Sequence, residues 1–409
     1  MSTTESTGTT EKTGSTGGGC PVLNFNHYQE MPFGEKIDYY DKLRDEAPVF
    51  RNEFANGHYI VTRYDDILSV YQEPETFSNQ AVTVFNPNPT YRWIPEMLDG
   101  DEHLQWRRQL GPHFSPKAIA RLEEKVRHRA VELIHDIAKR GRCDFMEDFA
   151  FQYPSFIFLE LMGLPFEDLD QFMKWEHDIL HFSGATAEET AERRGDATKG
   201  VNAYFAKVIE QRRIEPKDDL VTKALSFEID GKPVNDEDLG AFCLLMFMAG
   251  LDTVSATLGT IYYHLAQNQE DRQRIVDDPD LIPTAIEEFV RAYAIVIPSR
   301  KATKDTEIAG CPIAKGEMIS LPLNLATRDN TVYPDAKEVK IDRSPNNHIG
   351  FGAGPHRCLG SHLARRELKI AMEEWHRVIP NYRLAEGSAP NEAGAQLGPS
   401  GNVILEWDL

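Results

Sequence analysis

The stretch FGAGPHRCLG at residues 351–360 constrains this chain more than any other. Gly352, Gly354 and Gly360, with Pro355, make a tight loop, and an amphipathic helix is expected to start at Cys358. A sulfur at such a start lies near free backbone N–H groups and the positive end of the helix dipole, and both favour thiolate over thiol. A thiolate held this way suits a metal. One cysteine without a second nearby suits haem iron better than zinc. The competing reading is a buried structural cysteine. A phosphate loop fits poorly, because neither a P-loop lysine nor a dinucleotide glycine pattern is present.

The totals narrow the field. At 409 residues and 41% apolar, the chain can bury a sizeable core as one large domain or two fused lobes. Its 65 acidic and 44 basic residues leave a net charge of −21, which argues against nucleic acid or an anionic membrane as the main partner. Cys20, Cys143, Cys243, Cys311 and Cys358 are widely spaced and odd in number. No disulfide framework is expected from them, and a reducing cytoplasm is favoured. The chain opens with neither a basic n-region nor an apolar h-region, so no signal peptide is expected. The best apolar run, Phe242 to Leu251, reaches about half the ~20 residues of a membrane span, which favours a soluble protein.

Residues 1–20, mostly Thr, Ser, Gly, Glu and Lys, read as a disordered tail, and 21–409 as one packed domain. His58–Arg63 reads as a strand and Tyr64–Gln72 as a short helix. Phe77–Gly100, with Pro87, Pro89 and Pro95, reads as a structured loop. Helical patterns occupy 103–113, 116–140, 146–162, 166–182 and 187–214. Asn235–Gln267 is the longest, followed by 270–277 and 282–293. Arg300–Leu325 alternates around Gly310 and Gly316 and reads as short strands. Leu359–Val378 is helical again, and Val403–Trp407 is a last strand. The fold class is mainly α with a small β region (α+β).

Within the long helix, Gly250, Asp252 and Thr253 are poor helix formers, and Gly alone costs ~1 kcal/mol against Ala. The Thr253 hydroxyl can bond the carbonyl of Ala249, which bends the helix and opens a groove. The plain alternative is a tolerated kink. Glu288 and Arg291 stand at i and i+3, an ordinary surface pair when read alone. His103 and Arg107, at i and i+4, share a helix face. Arg300 follows the apolar stretch Ala294–Pro298.

The 351–360 stretch resembles the haem-ligand loop of the cytochrome P450 family and matches each of its fixed positions. Met248–Thr253 resembles the oxygen-binding groove of that family, and Glu288–Arg291 its Glu-x-x-Arg pair. The resemblance covers roughly residue 21 to the end. It implies the cytochrome P450 fold, with the long helix over a haem b whose iron is held by Cys358. Phe351, Gly352, Gly360, Ala249 and Gly250 would lie against the ring. His103, Arg107, Arg300 and His356 would pair with its two carboxylates, a task that suits the arginine fork. Thr253 would hold dioxygen and its waters, and Asp252 would relay protons. Glu288 and Arg291, with Arg343 as third member, would form a salt bridge behind the ligand loop.

The resemblance also implies an apolar substrate face. It would come from Val82, Val84, Phe85, Tyr91, Trp93 and Ile94, from Leu245 and Met248, and from Val296 and Ile297. Such a face favours a lipophilic substrate. Tyr91, twelve residues before His103, looks like the tyrosine that bonds a substrate ketone in the camphor-hydroxylating branch. Residues 143–148 and 250–254 look like that branch too. A terpenoid or other branched isoprenoid lipid is therefore expected, with fatty acids and steroids as alternatives. Phe182 departs from the branch, standing where an arginine would gate Asp252. No flavin or nicotinamide domain fits in the chain. Electrons would come from NAD(P)H through a ferredoxin reductase and a small acidic ferredoxin, docking on Arg107, Arg108, Arg365, Arg366 and Lys369. The expected protein is a cytoplasmic, monomeric monooxygenase. The alternatives are a peroxide-driven peroxygenase, which Asp252 and Thr253 argue against, and a haem sensor or lipid carrier.

Overall fold

The helix Asp236–Gln267 organises the molecule. Asn235 caps it, its side-chain oxygen accepting the N–H of Asp238 at 2.9 Å. Asp236, Glu237 and Asp238 place negative charge at the positive end of the helix. Its length is roughly 48 Å. By length and composition it would pass for a membrane span, more so than the run Phe242–Leu251 suggests, but 61% of its most apolar window is buried inside the protein. It is a core helix. Helices Gln152–Met162 and Ala187–Ile214 pack on it, while Ser361–Val378 packs between Glu123–Ala138 and Ile282–Ala292.

This is a computed structural model that describes residues 19–409 apart from 27–28, 56, 181, 183–185, 393–396 and 400. The expected tail, as far as residue 18, lies outside the described residues. The long helical patterns form, with breaks. The 103–113 pattern becomes the helix Gly100–Leu110 followed by a 3-10 turn at Gly111–Phe114 that carries Pro112. The 116–140 pattern splits into Pro116–Ala120 and Glu123–Ala138. The 146–162 pattern opens with a π turn at Met146–Ala150 before Gln152–Met162.

A six-stranded sheet forms the small β region. Its order is Val22–Leu23, Val49–Asn52, His58–Val61, Met318–Ser320, Ser299–Ala302 and Phe77–Ser78. Antiparallel pairing sets Arg300 opposite Ile319, and parallel pairing sets Ile319 beside Tyr59. Arg300 is thereby held on a sheet rather than on a mobile loop.

Cys20 and Cys311, separated by 291 residues, form a disulfide with their Cα atoms 5.6 Å apart. It ties the segment before the edge strand Val22–Leu23 to the strand Cys311–Ile313, within the core that contains Leu23, Ile60 and Ile319. This corrects the expectation that no disulfide forms, and removes part of the cysteine argument for a reducing cytoplasm. It also ends the tail before Cys20, which is buried.

Candidate active site

The cysteine loop takes its shape from two left-handed glycines, Gly352 at φ 70° and Gly354 at φ 64°. A Cβ on Gly354 would collide with the carbonyl oxygen of Tyr71. The Cys358 N–H donates to the Phe351 carbonyl at 2.8 Å, closing the loop. The following helix begins at Ser361, three residues later than expected from sequence, with Gly360 at its N-cap. Cys358 nonetheless receives the Gly360 N–H at its sulfur. Burial pushes the Cys358 thiol up, and the Gly360 N–H, Arg107 and Arg357 only partly offset it. The expected backbone N–H contribution is thus present at the sulfur, opposed by burial. Cys358 has accessible surface, but that surface opens into a cavity rather than to the outside. Such a thiol ionises when a metal cation binds it.

That cavity measures about 490 Å³. Phe351, Cys358, Leu359, Gly360, Leu363 and Ala364 line it from the cysteine side, and Ala249, Gly250 and Thr253 from the central helix. Gly352 does not line it; its place is set by the turn, against Tyr71. The Thr253 hydroxyl donates to the Ala249 carbonyl at 3.3 Å, as the spacing predicts. Asp252 is buried next to it and does not line the cavity. Phe182 carries Arg193 over its ring, 5.4 Å from the centroid.

Arg107, Arg300 and His356 line the cavity together with Tyr71 and Glu96. Arg300 lies over the Tyr71 ring at 4.8 Å and donates to the adjacent Ser299 carbonyl at 2.8 Å. Arg107 donates to the Arg357 carbonyl at 2.6 Å. His103 is in a second layer: it stacks on His356, ring centroids 3.9 Å apart, and does not reach the cavity. Burial, followed by Arg107 and Arg300, holds His103 down at about 4; burial, followed by His103 and the same arginines, holds His356 down at about 2. Among the described residues the buried Tyr71 hydroxyl and His356 Nε2 have no hydrogen-bond partner, the latter lying 3.9 Å from an Asp99 carboxylate oxygen. Two orphaned polar atoms and two guanidinium groups facing one cavity fit the carboxylates of a haem. Glu96 takes a hydrogen bond from Asn79 at 3.1 Å, and burial pushes its carboxyl up against the pull of the arginines.

Behind the loop, Glu288 and Arg291 are fully buried. Arg291 donates to both Glu288 oxygens, at 2.7 and 2.8 Å, and Arg343 adds contacts at 3.0 Å. The neighbouring Glu287 accepts both ends of Arg365, at 2.6 and 2.7 Å, and contacts His348 at 3.0 Å. Arg365 also lies over the Phe351 ring at 4.3 Å. The family resemblance, not the spacing, pointed to the Glu288 set, and nothing in the sequence pointed to this second brace.

The substrate side departs most from expectation. Val82, Trp93, Leu245, Met248, Val296 and Ile297 line the cavity. Tyr91 does not: it is exposed and borders a separate surface depression with Arg92 and Lys301. Phe85 is exposed as well and packs edge-on against Phe54. Val84 is buried with Ala81 and Met318, and Ile94 lies in the core beside Trp106. The course of the 77–100 loop is set by Asn79 holding Glu96, Asp99 bonding Ser78, and Lys301 bonding Pro87 and Asn88. Local sequence does not show these distant ties. Thr83, Tyr71, Glu96 and Glu367 line the cavity and were missed. Their only sequence signal is a polar side chain in an apolar setting.

The expected basic patch is also rearranged. Arg365 is bound to Glu287, Arg366 to Glu123 and Lys369 to Glu373. Arg107 faces the cavity.

A thiol and a helix-groove hydroxyl line one cavity whose cationic rim fits carboxylates, the arrangement expected of a haem-thiolate oxygenase. Comparison with known proteins gives the family. The Cytochrome P450 family model matches residues 19–280 and 277–393, and the chain belongs to that family. It is a cytochrome P450 monooxygenase, an oxidoreductase. It is 34% identical over 370 residues to "Probable cytochrome P450 127A1" of Sinorhizobium fredii, covering 89% of this chain and 87% of that one. A steroid C26-monooxygenase of Mycobacterium tuberculosis is 32% identical, over 84% of this chain and 86% of its own. The crystal structure of CYP101J2 superposes with a TM-score of 0.86 at 31% identity, covering 95% of this chain and 97% of that one.

Proposed function

We propose that this protein hydroxylates a branched, lipophilic molecule of terpenoid or steroid type, with haem iron held by Cys358. The observation that carries this is that Cys358 and Thr253 line one cavity whose substrate side is apolar. Relatives named steroid C26-monooxygenase and methyl-branched lipid omega-hydroxylase support the substrate class. Arg107, Arg300, His356 and Tyr71 seat the haem carboxylates, with His103 backing His356. The haem supplies dioxygen activation and oxygen transfer. The overall reaction takes R–H, O2, two electrons and two protons to R–OH and water.

The chain's own residues supply position and protons. Thr253 donates its proton to the Ala249 carbonyl, so its oxygen lone pairs remain to hold a water in the groove. Asp252, beside it, passes protons inward. Electrons come from an acidic ferredoxin, reduced by a reductase at the expense of NAD(P)H. Arg108, Lys117, Arg121 and Arg357 are exposed and make no ion pair among the described residues, so they replace Arg365, Arg366 and Lys369 as the docking cations.

The test combines a spectrum with turnover. The reduced, CO-bound protein should show the strongly red-shifted Soret band of a thiolate ligand, and Cys358→Ser should lose it. Product should form from NADH, reductase and ferredoxin. A band typical of histidine-ligated haem rejects Cys358 as ligand. Product from peroxide alone selects the peroxygenase reading.

A further inference from the structure

The cavity holds few polar side chains that a substrate could use. Tyr71, Glu96, Arg107, Arg300 and His356 cluster where the haem carboxylates belong, and Ser299 adjoins Arg300 in its strand. Glu367 comes from the helix after Cys358. The Thr253 hydroxyl is committed to the Ala249 carbonyl. The Trp93 indole N–H and the Thr83 hydroxyl remain, and of the two only the hydroxyl can also accept; Thr83 is on the same loop segment as Val82, which also lines the cavity.

Thr83 is held in a defined orientation. Its carbonyl accepts the Asn86 N–H at 3.4 Å, closing a turn. Its side-chain oxygen accepts the Phe85 N–H at 3.4 Å. Val84, buried between Ala81 and Met318, pins the turn to the sheet region. A threonine hydroxyl has one proton and two lone pairs. With a lone pair occupied by the backbone, the proton is left to give, and the cavity wall beside it is hydrocarbon.

We propose that Thr83 positions the substrate by donating its O–H to an acceptor oxygen on an otherwise hydrocarbon molecule. It takes the part that the resemblance assigned to Tyr91. The substrate class is thereby a branched lipid carrying a ketone, ether or hydroxyl oxygen at a distance from the carbon attacked. This rests on the hydroxylase reading above and narrows it. A single neutral hydrogen bond gives a preference of about five- to tenfold.

The experiment uses the haem-loaded protein and matched pairs of probes: camphor with bornane, and cholest-4-en-3-one with cholest-4-ene. Binding is read from the haem spin-state shift. The wild type should bind a ketone about five- to tenfold more tightly than its hydrocarbon. Thr83→Val should remove that preference and leave hydrocarbon affinity in place, while Thr83→Ser should keep it. The CO spectrum of each variant shows that the haem site is intact. Equal wild-type affinity for both members of every pair, or an undiminished preference in Thr83→Val, overturns the proposal and leaves the hydroxylase reading standing. No spin-state shift with any probe overturns both.

Discussion

At Thr253 one hydrogen bond has two consequences. By donating to the Ala249 carbonyl at 3.3 Å, the hydroxyl stops competing for other acceptors, and it also fixes the rotamer that aims its oxygen into the cavity. Thr253→Val keeps the shape and removes the oxygen. Product formation should fall on the order of 100-fold, while NADH consumption with ferredoxin falls far less, because electron entry does not need the hydroxyl. Thr253→Ser should stay close to wild type in product per NADH. A valine variant that keeps its product yield would remove Thr253 from proton delivery. This residue was legible because its partner is four positions away. Tyr91 was not: whether it faces the cavity depends on Asn79 holding Glu96 and on Lys301 reaching Pro87, contacts spanning 17 and 214 residues. Thr83 lies on the same loop and shares that dependence.

At the scale of elements, Ile282–Ala292 works as a clamp on the cysteine loop through two adjacent acids. Glu288 gathers Arg291 and Arg343 in a fully buried set. Glu287 reaches instead to His348, before the loop, and to Arg365, after it, so it holds both ends. Burial alone would push the Glu287 carboxyl up, but hydrogen bonds from Arg365 and His348 outweigh it and hold the group at about 2. A carboxyl depressed in the folded state stabilises the fold fully above its unfolded value of about 4.5, and loses that contribution as pH falls towards 2. Glu287→Gln should therefore cost about 1–3 kcal/mol at pH 7. The difference from wild type should shrink to roughly half at pH 3. Urea unfolding at the two pH values measures it, and a pH-independent difference would mean that packing, not charge, makes the brace. The family resemblance singled out Glu288 and Arg291, which their i, i+3 spacing alone leaves as an ordinary surface pair. Glu287 carries no such local signal, since Arg365 lies 78 residues away. The Cys20–Cys311 bond was hidden for the same reason.

For the whole molecule, charge has to be read by location. A net −21 should repel an acidic ferredoxin at long range. Screening over ~10 Å at 0.1 M salt confines the decision to the proposed docking face. There the cations are of two kinds. Arg366 is neutralised by Glu123, and Lys369 by Glu373. Arg108 and Arg121 are exposed and make no ion pair among the described residues. A paired arginine presents little field to a partner, and removing it perturbs its own carboxylate instead. An unpaired one attracts the partner and leaves no orphan when removed. The double variant Arg108→Gln/Arg121→Gln should slow ferredoxin-driven reduction on the order of tenfold at low ionic strength. The gap should close as salt rises towards 0.5 M, where the screening length falls to about 4 Å. The double variant Glu123→Gln/Arg366→Gln should change the rate less than about twofold, because it removes a neutral pair and leaves the net charge of the face unchanged. Stopped-flow reduction under CO, across a salt series, reads both directly. Equal slowing by Glu123→Gln/Arg366→Gln, or slowing that ignores salt, would place the ferredoxin on some other face.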